Sequence, residues 1–307
     1  MSIQIRRYQP TTDRDAVFQL WNVALGDTWP LYPEGLYSVL DPQAEHHLVA
    51  TSHEAIVGCI AASRDGEDRG SIFAILAHPD HSNEGTLGRL LDAATQQLRS
   101  LGSVKLQFGG GQSYFWPGVP SDQPHVLHLL EQHGWQMGEQ VTDMVGDLES
   151  SRVSEEMTDR IARSGALLRR AGAGDGHAIL QFEERHFPQW LPTASWYAKQ
   201  EDFANILLAE LDGEIVGTNF LTPPGDPDFR WRRMLGEECA AYGAIGVSEA
   251  VRGRYIGYAL AVRASEILKE RGAARIFLSW VFSTEWYGRL GFHIWKTYRQ
   301  VDQDFSR

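Results

Sequence analysis

The chain repeats itself, and that repetition limits what it can fold into more than any other feature. "IQIRRYQPTTDRDAV" near the start and "ALLRRAGAGDGHAI" in the second half both alternate apolar residues, end in paired arginines, turn, and lead into a helix with an acidic start. "HHLVATSHEAIVGCIAAS" then predicts two strands around a turn at Ser52 to Glu54, and "ANILLAELDGEIVGTNFL" predicts two strands around Asp212-Gly213. Each second strand carries a Val-Gly pair, Val57-Gly58 and Val216-Gly217. A further strand in each half runs through a glycine-containing turn into a helix, in "GSIFAILAHPDHSNEGTLGRLLDAATQQLRSLG" and "AAYGAIGVSEAVRGRYIGYALAVRASEILKERG". Leu87, Leu90 and Leu91, like Ile256, Leu260 and Val262, give these helices one buried face. A strand ("VKLQF", "ARIFLSWV"), a short helix and a glycine stop ("EQHGWQM", "GRLGFHI") close each copy.

The polar stretch Leu148 to Gly165 parts the copies. It predicts a domain over residues 1–150, a linker or connecting helix over 151–165, and a domain over 166–307. The first copy is longer between Gly88 and Gly134 than the second is between Gly257 and Gly291, and the excess lies in the loop "GGGQSYFWPGVPSDQP", Gly109 to Gln112 reading as flexible. The second has its own irregular segment, "PPGDPDFRWRRMLGEEC". Tyr114, Phe115, Trp116, Phe229 and Trp231 in these segments are expected either to line an acceptor pocket between the copies or to form their interface.

Composition narrows the partners. A net charge of −12 argues against a broad basic face for nucleic acid or an anionic membrane and fits a cationic or neutral ligand. Cys59 and Cys239 give neither a disulfide framework nor metal-ligand spacing, so a reducing cytoplasm is the expected setting. The start of the chain shows no apolar leader, and no run approaches the roughly 18 apolar residues of a membrane span. The 11 histidines, among them His46-His47 and His125 with His128, form no ligand set, and no metal is expected.

The turn "RGRYIGYAL" is the most chemical stretch. A strand feeding a helix through an open, glycine-containing turn leaves backbone N–H groups unpaired at the positive end of the helix dipole, which makes an anion cradle. Arg252 and Arg254 add charge, Gly253 lets the backbone come close, and Gly257 keeps the first turn uncluttered. The same residues also read as a helix entrance capped by small residues with arginines in solvent. The strand "GAIGVSEAV", this turn, an amphipathic helix, a strand and "WYGRLGF", in that order, resemble the GNAT acetyltransferase superfamily. Its motif of Arg or Gln, two residues, Gly, one residue, Gly or Ala falls on Arg252 through Gly257, with Tyr255 in the middle glycine's place, where a helical φ would tolerate the side chain. In the first copy the motif lies over "NEGTLG", with Asn83, Thr86 and Gly88 at the three places. The resemblance spans nearly the whole chain, and tandem copies of this kind look like mycothiol synthase and related two-domain members.

The resemblance implies an α/β (α+β) fold of two GNAT-like domains, each a mixed, mostly antiparallel central sheet flanked by helices. It implies acetyl-CoA as co-substrate, the pantetheine arm and thioester on the backbone of Ile245, Gly246 and Val247, and the pyrophosphate over Arg252, Gly253, Arg254, Tyr255, Ile256, Gly257 and Tyr258. Tyr287 stands where the family's tyrosine protonates the leaving thiolate, a modestly uphill transfer that a site can ease by favouring the phenolate. Trp286 is expected to pack the short helix. Leu130 holds the corresponding place in the first copy and cannot donate a proton, which puts the chemistry in the second copy. Glu237, Glu238, Glu249 and Glu285 can all take a proton from an amine, with Glu238 the choice for base. The reading is an N-acetyltransferase acting on a small-molecule primary amine, monomeric or homodimeric. The alternative is a non-catalytic acyl-CoA binding or sensing protein, suggested by Thr86, Tyr255 and Leu130.

Overall fold

Each copy opens with the same lock. Arg6 binds the Asp13 carboxylate with both terminal guanidinium nitrogens, and Asp13 also accepts from the Gln9 N–H at 2.9 Å. Arg169 holds Asp175 at 2.7 and 2.8 Å, and Asp175 accepts from the Gly172 N–H at 2.7 Å. The first arginine of each pair thus ties the opening strand to the start of the next helix. Bidentate geometry of this kind is what arginine offers and lysine does not.

The computed structural model describes residues 3–81, 84–110, 114–150 and 153–306. Along the chain the first copy gives β1 (Gln4–Arg7), α1 (Pro10–Leu25), α2 (Pro33–Leu40), β2 (Leu48–Ser52), β3 (Ala55–Arg64), β4 (Arg69–Ala77), α3 (Glu84–Ser100), β5 (Lys105–Phe108), β6 (Val119–Pro120), α4 (Pro124–Gln132) and β7 (Gln136–Asp147). The rest gives α5 (Glu155–Ala162), β8 (Leu167–Arg170), α6 (Gly176–His186), α7 (Leu191–Lys199), β9 (Ile206–Leu211), β10 (Glu214–Thr222), α8 (Arg232–Leu235), β11 (Cys239–Val247), α9 (Ile256–Glu270), β12 (Arg275–Val281), α10 (Thr284–Gly288) and β13 (Phe292–Asp304). Ser151 and Arg152 of the expected linker lie outside the described residues. From Glu155 it is helical, and Ser154 caps that helix by accepting from the Met157 N–H at 3.2 Å.

Two compact units result, and neither is continuous in sequence. Unit 1 is Met1–Thr142 with Pro227–Gly236 and Lys296–Arg307, and unit 2 is Asp143–Asp226 with Glu237–Trp295. In unit 1 the sheet runs β1-β2-β3-β4-β5, antiparallel except for β4 with β5, and the far end of β13 pairs with β5 from Val301↔Phe108 to Asp304↔Lys105. In unit 2 it runs β8-β9-β10-β11-β12, antiparallel except for β11 with β12, and β7 lies beside β12. The hairpin turns answer to sequence directly. Asp212 and Gly213 both take positive φ, 52° and 84°, and His53 and Glu54 make the same turn at 47° and 69° without a glycine.

Unit 2 packs on both faces of its sheet. Leu207, Ala209, Leu221, Ala240 and Tyr242 meet α9 through Leu260, Ala261, Ala264 and Leu268. The alternate residues Ile206, Leu208 and Phe220 meet α6 and α7 through Ile179, Ala194 and Tyr197. In unit 1 the aromatic residues of the two irregular segments form core instead of a pocket wall. Phe115, Trp116, Phe229 and Trp231 are all buried, with Trp116 stacked on Trp21 at 5.5 Å and Trp231 5.0 Å from Trp29. Tyr114 lies under the Arg230 guanidinium at 4.9 Å. Indole and phenyl groups are too large to leave wet when a core is within reach.

Candidate active site

In unit 2 the strand β11 is irregular in two ways that together open a cleft. Against β10 its register runs Thr218↔Gly246 and then Phe220↔Gly243, so Ala244 and Ile245 face Asn219 alone, and Ala244 takes φ 51°. That is a β-bulge, which bends the strand and breaks its ladder. Against β12, β11 pairs only over Cys239–Ala241 with Arg275–Phe277. Beyond Ala241 the β12 side of β11 has no strand partner among the described residues, which leaves main-chain donors and acceptors for a ligand.

The turn after β11 follows. Ser248 N–H donates to Val216 O at 2.9 Å, a short turn covers Glu249–Val251, and Gly253 (φ 81°) and Tyr255 (φ 64°) both adopt left-handed backbone before α9. Tyr255 thus does not take the helical φ that would tolerate its side chain. The residue keeps the left-handed conformation a glycine would take, at a cost of roughly 1–2 kcal/mol. Its ring is held in return by Arg160, which donates to the phenol oxygen and lies 5.1 Å from the ring centre, and by stacking on Tyr258 at 5.6 Å. Gly257 lies against Trp286, where a Cβ would stand 3.4 Å from the indole, in ordinary contact. Trp286 stacks on Tyr258 at 4.2 Å, which fixes the short helix as expected. The two arginines part company: Arg254 donates to Ser164 O at 3.0 Å, whereas Arg252 reaches back to Val247 O at 3.2 Å and leaves its side chain 57% exposed. Beside this first turn a cavity of about 420 Å³ is lined by Tyr258, Phe282, Ser283, Thr284, Glu285, Trp286 and Arg289.

Tyr287 comes to the point where the strands part. Phe292 lies 6.0 Å from it and 6.1 Å from Tyr242, the first residue of β11 beyond the paired segment. Burial pushes the Tyr287 phenol up to about 12, so its surroundings do not favour the phenolate. The surroundings are Trp286 and Phe292, and rings disfavour an anion. The buried Tyr242 phenol is raised further, by burial first and then by its neighbour Tyr287.

Glu238 is not brought there. It is exposed, precedes the closed end of the β11–β12 pair, and uses its carbonyl to accept from Ala274 N–H at 2.9 Å. The splay begins beyond Ala241, so the Glu238 carboxylate sits at the wrong end of the strand for a base. Two buried polar side chains that sequence did not single out do lie beside the bulge. Glu183 of α6 accepts from the Thr218 hydroxyl at 2.6 Å with its other oxygen unpartnered, and both amide atoms of Asn219 lack partners. Gly246 is the floor beneath α6: a Cβ there would stand 2.5 Å from the Phe187 ring. Gly246→Ala is expected to displace that ring and destabilise the protein by about 1–3 kcal/mol in thermal unfolding.

Unit 1 has a bulge in the corresponding strand pair, and its β4 likewise pairs with β5 only as far as Ile72 among the described residues. Its register runs Ala61↔Ala74 and then Ala62↔Ile72, leaving Phe73 extra, and Phe115 packs 6.2 Å from Phe73. Leu130 is fully buried, Thr86 is buried, and a Cβ on Gly88 would stand 3.4 Å from His133. Asn83, Gly111 and Gln112 lie outside the described residues.

The family model for the Acetyltransferase (GNAT) family matches residues 14–112 and again 177–292. The chain belongs to the GNAT acetyltransferase family. This acetyltransferase is 23% identical over 261 residues to a mycothiol acetyltransferase of Nocardia farcinica, covering 81% of this chain and 78% of that one. Among solved structures it is similar to the glucosamine N-acetyltransferase region of a fungal multi-domain β-N-acetylglucosaminidase, with TM-score 0.92, 24% identity and 98% of this chain covered. The chain spans 38% of the length of that fungal protein. A tandem GNAT protein from the clavulanic acid biosynthesis pathway matches with TM-score 0.66 and 16% identity over 100% of this chain and 99% of that one. Members of this family use acetyl-CoA as co-substrate. No described helix is long and apolar enough to cross a membrane.

Proposed function

We propose that this acetyltransferase moves an acetyl group to the primary amine of a small molecule, with the chemistry in unit 2 and Tyr287 as general acid. The observation that carries this reading is the parting of β11 from β12 after Ala241 and Phe277, with Tyr287 packed beside it. Unit 1 supports the fold, because bulky apolar side chains pack its own bulge.

The residues present fit acetyl-CoA. The unpaired edge of Ile245, Gly246 and Val247 suits an amide-bearing arm, and the turn from Arg252 through Tyr258 offers N–H groups, a helix N-terminus and an exposed guanidinium to a pyrophosphate. Acetyl-CoA, when bound, supplies the activated acetyl thioester. Around it the chain's own groups divide the work: the β11 backbone orients and polarises the carbonyl, the stacked Tyr258 and Trp286 exclude water, and the Tyr287 phenol gives a proton to the departing sulfur. The acidic surface draws a cationic amine.

The test is calorimetric titration with acetyl-CoA alongside free-thiol release, first with glucosamine, the amine named for the fungal relative, and then with other primary amines. Binding with amine-dependent thiol release is the expected result. Binding without release from any amine would favour a sensing protein, and no binding would end the cofactor assignment.

A further inference from the structure

The two copies serve as controls for one another. Asp13 and Asp175 occupy equivalent places, and the buried positions Val17, Leu20 and Trp21 of α1 match Ile179, Phe182 and Glu183 of α6 at the same spacing. Val57-Gly58 and Val216-Gly217 align Cys59 with Thr218, while Ala74-Ile75 and Ala244-Ile245 align Phe73 with Gly243 and Leu76 with Gly246. The pairings agree, since Cys59 faces Leu76 as Thr218 faces Gly246. At these positions unit 1 carries the buried Trp21, Cys59, Phe73 and Leu76, and unit 2 has Glu183, Thr218 and two glycines. Packing alone does not ask for a carboxyl there, because the same framework closes well around an indole.

These replacements lie on one face of the sheet. Thr218 hydrogen-bonds α6, Gly246 lies beneath Phe187 at the end of α6, and Gly243 pairs with Phe220, whose ring packs on α6 and α7. A Cβ on Gly243 would meet nothing within 4 Å, so the face is open beside the bulge. Glu183 is fully buried with one oxygen bonded to Thr218 and the other bonded to nothing. An unpartnered buried carboxyl oxygen is costly and needs a reason.

We propose that Glu183, set beside the bulge by Thr218, takes the proton released by the acceptor amine during acetyl transfer. This rests on the function proposed above. As the neutral amine nitrogen forms its bond to the acetyl carbonyl carbon, the nitrogen's proton passes to the free Glu183 oxygen directly or through one water. The C–S bond breaks with its electron pair on sulfur, which takes the Tyr287 proton, and one proton returns from Glu183 to the Tyr287 phenolate through solvent. Amine and thioester become amide and thiol. Burial holds the Glu183 carboxyl up, to about 7, against the Thr218 hydrogen bond that lowers it, so both forms are present at neutral pH. On the elements packed against α6, Tyr197 is buried and donates to Leu221 O, Asp175 is bound by Arg169, and Lys199 is exposed; on α6 itself Glu184 and Arg185 are exposed and His186 is half-buried. None of these is among the causes of the Glu183 shift.

The experiment measures kcat/KM against pH with acetyl-CoA and glucosamine for wild type, Glu183→Gln and Thr218→Val, with acetyl-CoA affinity measured in parallel. Glucosamine's own ionisation is common to all three. Glu183→Gln is expected to lose at least a hundredfold in kcat/KM at pH 7 and the acidic limb near pH 7, with acetyl-CoA affinity unchanged. Thr218→Val removes the bond that lowers Glu183, so its acidic limb is expected to move to higher pH, a change that a purely structural role would not produce. Glu183→Gln retaining activity within threefold and the same limb would overturn the proposal while leaving the transferase reading intact. If Glu183→Gln fails to fold, an unmoved limb in Thr218→Val overturns it. Wild type that binds acetyl-CoA and turns over no amine would remove both readings.

Discussion

Replacing Tyr287 with phenylalanine is expected to lower kcat for acetyl transfer at least tenfold while leaving acetyl-CoA affinity within about twofold. The ring would still pack against Trp286 and Phe292, so the fold has little reason to change. What is lost is a phenol that packs beside the point where the strands part. With its acidity pushed to about 12 by burial, the phenol remains protonated throughout the neutral range. Full transfer to a thiolate whose acid lies near 8.5 is uphill by roughly 5 kcal/mol at those values, so donation accompanies C–S cleavage instead of preceding it. Tyr287 should accordingly add no alkaline limb to the rate between about pH 7 and 10. A Tyr287→Phe protein with wild-type kcat would show that sulfur leaves without its help.

The second large effect is on stability. Glu183→Gln is expected to be more stable than wild type at pH 8 by on the order of 3 kcal/mol and nearly equal to it at pH 4. The sign follows from the direction of the shift: the folded carboxyl titrates near 7 and an ordinary glutamate at 4.5. Below pH 4.5 both folded and unfolded forms are protonated and no penalty applies. Between 4.5 and 7 the unfolded chain ionises while the folded one resists, so wild type loses stability as pH rises, and above 7 it carries the full penalty of a buried charge. Gln keeps the acceptor for Thr218 and has no charge to lose. Denaturant unfolding at a series of pH values measures the difference, and parallel curves for the two proteins would mean the carboxyl is not strained by burial. A group that costs stability at working pH and persists is the kind that function retains.

Much of this was legible in the sequence because local rules set it. The doubled order of elements, the hairpin at Asp212-Gly213 and the glycine turn follow from periodicity and turn chemistry over short spans, while the place of Tyr287 came from the resemblance to the family. What long-range packing decides was not legible. Nothing local says that Pro227–Gly236 belongs with unit 1, or that the end of β13 pairs with β5. Glu238 looked close to the site because it precedes the right strand, but the strands part only beyond Ala241, which a register and not a position reveals. Tyr255 gave no sign of its left-handed backbone, which the stacked Tyr258 and Arg160 help to hold. Glu183 reads as one more acid in "FEERH" until it is set against Trp21 of the other copy. The signal was there in the repeat, at a position where one copy carries an indole and the other a carboxyl.

The most direct test of where the chemistry lies is a crystal structure of the full chain with CoA. The expected result is CoA in unit 2, its pyrophosphate over the Arg252 to Tyr258 turn and its sulfur beside Tyr287 where β11 leaves β12. CoA held by unit 1 alone, or bound in unit 2 with its sulfur away from Tyr287, would contradict it.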